Sequence, residues 1–281
     1  MVYISPGEIS SKIKLHYPDR TVALFGPPGI GKSEQVRITA QNLAKELGLE
    51  FIEYSDRIQP DKLKNVFVFC DLRLYETNQE DFFIPRMTNG EVEYKYQKFV
   101  RILEKHPGIL FIDEVTNTIR PDVQSILFKL LLDKKIGFIK LNPGVQVVCA
   151  GNPPEYSDIA QELVTPILNR VAVYNVKPPK VEEWINYEKS RGRKHTLLFS
   201  YLLRYRDDFI KIPKRGSTLE SYPTPRSWSF LLELFNNNGH RVKEPDIIAF
   251  IGAEIGSKFY KFLEITVPEL EEIINDLQEL G

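Results

Sequence analysis

The segment Thr21-Val-Ala-Leu-Phe25 runs directly into Gly26-Pro-Pro-Gly-Ile-Gly-Lys-Ser33, and few sequence features restrict a fold as strongly. The apolar run predicts a buried strand. The following octet meets the pattern G-x-x-x-x-G-K-[ST] through Gly26, Gly31, Lys32 and Ser33. Glycines open backbone angles closed to other residues, so successive N–H groups can converge on phosphate oxygens. Lys32 brings a mobile positive charge for the β- and γ-phosphates, and the Ser33 hydroxyl suits Mg²⁺. Val36, Ala40, Leu43, Ala44 and Leu47 then recur at helical spacing, with Gly48 as the C-cap. A helix starting here points its positive dipole end at the same anion. The stretch Gly26, Pro27, Pro28, Gly29, Ile30, Gly31, Lys32, Ser33 and Glu34 is therefore expected to hold a nucleotide.

The 281 residues suit one α/β core plus a smaller domain. An apolar fraction of 42% and a charged fraction of 27% are those of a soluble globular protein. The net charge of −1 supplies no whole-chain basic field for nucleic acid or acidic membranes. Cys70 and Cys149, the only cysteines, both lie in apolar strand-like runs and are expected to be buried free thiols in a reducing compartment. No signal peptide is visible, and no apolar run approaches the ~20 residues that span a bilayer, which predicts a cytoplasmic protein with no membrane partner.

Along the chain, Ser5 with Pro6 opens a short helix that ends before Pro18. Strands are expected at Phe51–Tyr54, Val66–Cys70, Ile109–Ile112, Val145–Ala150 and Val171–Val176. The run at Ile109 is apolar at every position, as a parallel strand covered on both faces requires. Pro121–Leu132 carries Val123, Ile126, Leu127, Leu130 and Leu131 on one helical face. Strands alternating with helices predict a doubly wound parallel sheet. Two hairpins interrupt that rhythm, one at Pro85–Tyr96 around Asn89-Gly90, the other at Ile136–Val147 around Asn142-Pro-Gly144. Beyond Pro178-Pro179, helices are expected at 181–190, 195–205, 225–237, 245–264 and 268–280. This predicts an α/β domain over 1–178 and a helical domain over 179–281.

Candidate chemistry collects at strand ends. Ile109-Leu-Phe-Ile112 closes on Asp113-Glu114; beside a phosphate loop the first acid belongs near Mg²⁺ and the second polarises the attacking water. Val145–Ala150 ends in Gly151-Asn152, an amide placed to reach a γ-phosphate or orient the water. Arg170 precedes the last strand. Arg226, in Pro223-Thr-Pro-Arg-Ser-Trp228, opens a helix of the second domain and is expected to face the core. A basic cluster, Lys189, Arg191, Arg193 and Lys194, could bind phosphates, though such runs usually mark a solvated helix end.

The motifs Gly-Pro-Pro-Gly-Ile-Gly-Lys-Ser33, Ile-Asp-Glu114, Ala-Gly-Asn-Pro153, Leu-Asn-Arg170 and Thr-Pro-Arg-Ser-Trp228, in that order, resemble the MoxR-like, dynein-related group of AAA+ ATPases. The resemblance covers nearly the whole chain. Asp71-Leu-Arg-Leu74 is similar to a connecting segment of that group, and Gly252–Phe259 to its lid helices. It implies an AAA+ core with hairpin insertions and a small α-helical lid, and ATP with Mg²⁺ as ligands. It further implies that Ser33 and Asp113 hold the metal, Glu114 is the catalytic base and Asn152 is sensor 1. Arg170 becomes an arginine finger acting on a neighbouring subunit, and Arg226 the sensor 2 arginine. The group often has Asp-Arg-Phe where this chain has Asn169-Arg170-Val171. Both hairpins are expected to face the pore of a ring, a hexamer, that remodels or activates a protein, with a von Willebrand factor A-type partner as one option. The alternative is a DNA-associated AAA+ ATPase such as a helicase loader or replication motor.

Overall fold

The computed structural model describes residues 1–73, 77–117, 121–156, 169–213 and 220–265. These fall into two compact units. The first comprises Met1–Pro27 and Gly31–Pro178, and the second comprises Pro28–Ile30 with the described residues from Pro179 on.

The first unit is a seven-stranded sheet. Its strands are β1 (Tyr3–Ile4), β2 (Val22–Phe25), β3 (Glu50–Glu53), β4 (Val66–Arg73), β7 (Gly108–Asp113), β10 (Val145–Gly151) and β11 (Ala172–Val176). They lie in the order β1-β11-β2-β10-β7-β4-β3, and every pairing is parallel. Pairing of β2 with β10 sets Phe25 beside Gly151, and pairing of β4 with β7 sets Arg73 beside Asp113. The central strands read apolar throughout because both faces are covered. Helix α1 (Ile9–His16) packs on α2 (Lys32–Glu46), and α2 packs on β3, β4, β7 and β10. Val36, Thr39, Ala40, Leu43 and Ala44 make its buried stripe. Alternate strand residues, among them Val68, Cys70, Leu110 and Ile112, form a core with α3 (Lys98–Lys105) and α4 (Pro121–Asp133). Both cysteines are buried and free.

Asn89 and Gly90, both at positive φ, join β5 (Phe83–Thr88) to β6 (Glu91–Tyr96) as the sequence predicts. The second hairpin is smaller than predicted and turns elsewhere. β8 (Lys135–Ile136) pairs with β9 (Ile139–Lys140) around Gly137, whose φ is +59°. Asn142-Pro-Gly144 is instead a turn that launches β10: the Asn142 side-chain oxygen accepts the Gly144 N–H and its carbonyl accepts that of Val145. An Asx turn stabilises a change of direction without needing a hairpin.

The second unit is all-helical, consistent with a lid. It contains α5 (Val181–Ser190), α6 (Thr196–Arg204), α7 (Pro225–Asn238), α8 (Glu244–Ile251) and α9 (253–265) around Trp184, Tyr201, Trp228 and Phe259. The single helix predicted over 245–264 is two helices. Gly252 breaks it with φ +79° and ψ 163°, a region open essentially to glycine alone. The predicted helix 268–280 lies outside the described residues. No described helix is long and apolar enough to cross a membrane.

Candidate functional site

Three neighbouring strands, β2, β10 and β7, deliver the candidate residues at their carboxyl ends, where open parallel sheets bind ligands. The loop after β2 has Gly29 at φ +73° and Gly31 at φ +93°. Gly31 is the left-handed N-cap of α2, so Lys32 and Ser33 are the first helical residues and Glu34 lies in the first turn. Left-handed backbone at an N-cap favours a residue without Cβ, which explains the glycine before the lysine.

Lys32 is 6% exposed. Its ammonium donates to the carbonyls of Gly26 and Pro27, both at 2.7 Å, and to Asn152 Oδ1 at 3.1 Å. A buried charge needs such partners, since an unpaired one carries a large desolvation cost. Asn152, predicted from its place after β10, thus meets the lysine directly. Ser33 Oγ donates to Asp113 Oδ2 at 2.7 Å, which brings the two predicted metal-binding residues together from α2 and β7. Asp113 Oδ1 accepts the N–H of Glu114 at 2.9 Å. Glu114 holds φ +57°, uncommon outside glycine and asparagine, and such strain concentrates at functional positions.

A hydroxyl and a carboxylate in contact are hard oxygen donors, and Mg²⁺ typically takes one or two protein oxygens and completes its shell with phosphate and water. Among the described residues no cluster of three or more His, Cys, Asp or Glu could hold a metal without such help. The donor set therefore fits Mg²⁺ bound together with a nucleotide.

Arg170 is exposed in the turn before β11, and Thr165 to Leu168 of its motif fall outside the described residues. Arg226 occupies the first turn of α7 and is exposed. Part of the basic cluster is engaged within its own unit. Arg193 pairs with the fully buried Glu188 and with Glu233, and Lys189 and Arg191 lie over the rings of Phe199 and Tyr187.

Two features escaped the sequence reading. Asp71 closes the apolar run of β4 as Asp113 closes that of β7, and in register it shares a sheet face with Phe111 and Asp113. It keeps over a third of its surface in water, yet partial desolvation and then the charge of Asp113 push its carboxyl up to about 6. The same strand-end rule that found Asp113 would have found it. Thr116 and Asn117, by contrast, are polar residues after the acid pair, and nothing in the sequence says that both are buried.

A twisted parallel sheet carrying a glycine-rich loop, lysine and hydroxyl beside a strand-end acid pair defines an α/β phosphate-loop protein. The model of the ATPase family associated with various cellular activities (AAA) matches residues 22–172, more than half of the chain, and the chain belongs to that family. A search of curated proteins found no match. Among solved structures, PCH-2 of C. elegans is 14% identical, with a TM-score of 0.43 over 95% of this chain and 70% of that one. The FIGL-1 AAA domain in complex with ADP is 18% identical, with a TM-score of 0.43 over 92% and 77%. AMPPCP-bound DnaA from Aquifex aeolicus is 14% identical, with a TM-score of 0.43 over 83% and 61%. The chain spans 59% of the length of a putative ATPase from Cytophaga hutchinsonii that it also matches, and 61% to 77% of the three structures above.

Proposed function

We propose that this chain is an ATP-hydrolysing subunit of a MoxR-like AAA+ ring, a hexamer, that remodels or activates a protein partner. The observation that carries the reading is the convergence of Lys32, Ser33, Asp113, Glu114 and Asn152 at three adjacent strand ends. Lys32 is placed to exchange its carbonyl partners for the β- and γ-phosphate oxygens. Ser33 and Asp113 would hold Mg²⁺, which neutralises charge on the transferring phosphoryl group when bound. Glu114 accepts the proton of the water that attacks the γ-phosphorus; the P–O bond to ADP breaks, giving ADP and phosphate. Asn152 links that centre to the lysine. Arg170, from a neighbouring subunit, and Arg226 are assigned as cations for the developing charge.

The hairpins favour a protein over a nucleic acid as the partner. On β5 and β6, Phe83 and Tyr96, Pro85 and Tyr94, and Met87 and Val92 pair across one face. The Phe83–Tyr96 pair at its base packs on the core, and Tyr94 lies 5.5 Å from the ring of Phe138 on the second hairpin. Met87, Val92 and Phe138 are 72%, 56% and 82% exposed. A contiguous apolar strip suits an apolar polypeptide, and with Arg193 committed to Glu188 the basic cluster is a poor phosphate track. A von Willebrand factor A-type protein is one partner of this kind.

The deciding experiment is ATP turnover with Mg²⁺ by the wild-type chain and by Glu114→Gln. The variant should bind ATP with unchanged affinity and lose ~10²–10⁴ in rate. Hydrolysis at the wild-type rate in Glu114→Gln would overturn the assignment of the base.

A further inference from the structure

The residues that follow the acid pair make one short helical turn, Val115–Asn117, and all three are buried. Thr116 is 5% and Asn117 9% exposed, a costly place for polar side chains unless their bonds are satisfied. Their partners are informative. The Asn117 backbone N–H donates to the Glu114 carbonyl at 2.8 Å, and its side-chain Nδ2 to Glu114 Oε2 at 3.4 Å. Thr116 Oγ1 accepts the backbone N–H of Asn152 at 3.2 Å. The left-handed φ of Glu114 turns the chain so that the next two residues reach toward β10. On that strand Gly151 makes room: a Cβ there would stand 2.8 Å from Thr116 Cγ2 and 2.9 Å from its Oγ1.

We propose that Thr116 and Asn117 are positioning residues for the hydrolytic step, a reading that rests on the ATPase function above. Asn117 holds Oε2 of Glu114 through its amide, which leaves Oε1 to take the proton of the attacking water. Thr116 fixes the strand end from which Asn152 holds Lys32. One buried turn therefore sets the distance between the base and the amide that anchors the phosphate-binding lysine. The amide contact is long, as such bonds often are before substrate binds and tightens them.

The test is steady-state ATP turnover by the full chain, with ATP binding measured separately. Asn117→Ala should lower kcat roughly tenfold or more, less than the loss of the base itself, while KM for ATP changes by no more than about twofold. In the Glu114→Gln background, Asn117→Ala should cost nothing further, because a residue that acts through the base has nothing left to position. Equal fractional losses in both backgrounds would make Asn117 merely structural and overturn the proposal. So would wild-type kcat in Asn117→Ala. Absence of ATP turnover in the wild-type chain is a different result: it would remove the function itself, and this role with it.

Discussion

Asp71 shows how a single carboxylate reports its neighbours. Its folded-state value of about 6 lies above the ordinary 3.8, with desolvation the larger cause, Asp113 the next, and Arg73 opposing them. Between those values the folded chain binds more protons than the unfolded one, so this group withdraws stability as pH rises from about 4 to 6. Above that window both states are ionised and the penalty is complete. Asp71→Asn removes it. The melting temperature of the variant should match wild type near pH 4 and exceed it at pH 7. A gap that fails to open between pH 4 and pH 7 would show that the fold does not hold Asp71 above its ordinary value. Lys32, Ser33 and Asp113 were legible in the sequence as candidates because each is tied to a pattern with one physical meaning. Asp71 could have been read by the same strand-end logic. Thr116 and Asn117 could not, because burial of a polar side chain depends on what folds over it.

At the level of elements, periodicity located the central strands, and turn chemistry found the first hairpin. Two errors share a cause. For Asn142-Pro-Gly144 and the span 245–264 the local pattern alone points to a hairpin and to one helix. In the fold, pairing of Gly108 N–H with the Gly144 carbonyl draws the first into the entry of β10. The second is broken at Gly252, where a Cβ would stand 2.4 Å from the Ser221 carbonyl oxygen. Helical apolar spacing continues across that glycine, so periodicity cannot detect the break. Gly252→Ala should therefore destabilise the helical unit by at least about 1–3 kcal/mol, the cost of a disfavoured backbone region plus the clash. Denaturant unfolding followed by tryptophan fluorescence would measure this, since Trp184 and Trp228 both lie in that unit's core. An unchanged midpoint would mean that the break tolerates a side chain.

For the whole molecule, the proposed ring makes activity a collective property. If Arg170 completes the site of a neighbouring subunit, the isolated chain lacks a cation worth ~10³–10⁵ in kcat in related phosphoryl-transfer systems. Specific activity should climb with protein concentration, in step with the assembled mass measured by light scattering. Arg170→Ala should flatten that rise and leave nucleotide affinity per subunit intact. Activity per subunit that stays constant on dilution to monomer would sink the trans-acting role.

The α/β phosphate-loop class and the candidate polar residues can be read from the linear chain. Glycine geometry, alternating burial and strand-end acids each follow from local chemistry that a linear pattern can carry. The tertiary structure alone decided that Asn152 meets Lys32, that Ser33 meets Asp113, and that a buried turn joins Glu114 to the neighbouring strand. These contacts link positions as far as 120 residues apart. They exist because β10 lies between β2 and β7 in one parallel sheet, an order set by packing both faces of that sheet and written in no short stretch of the chain.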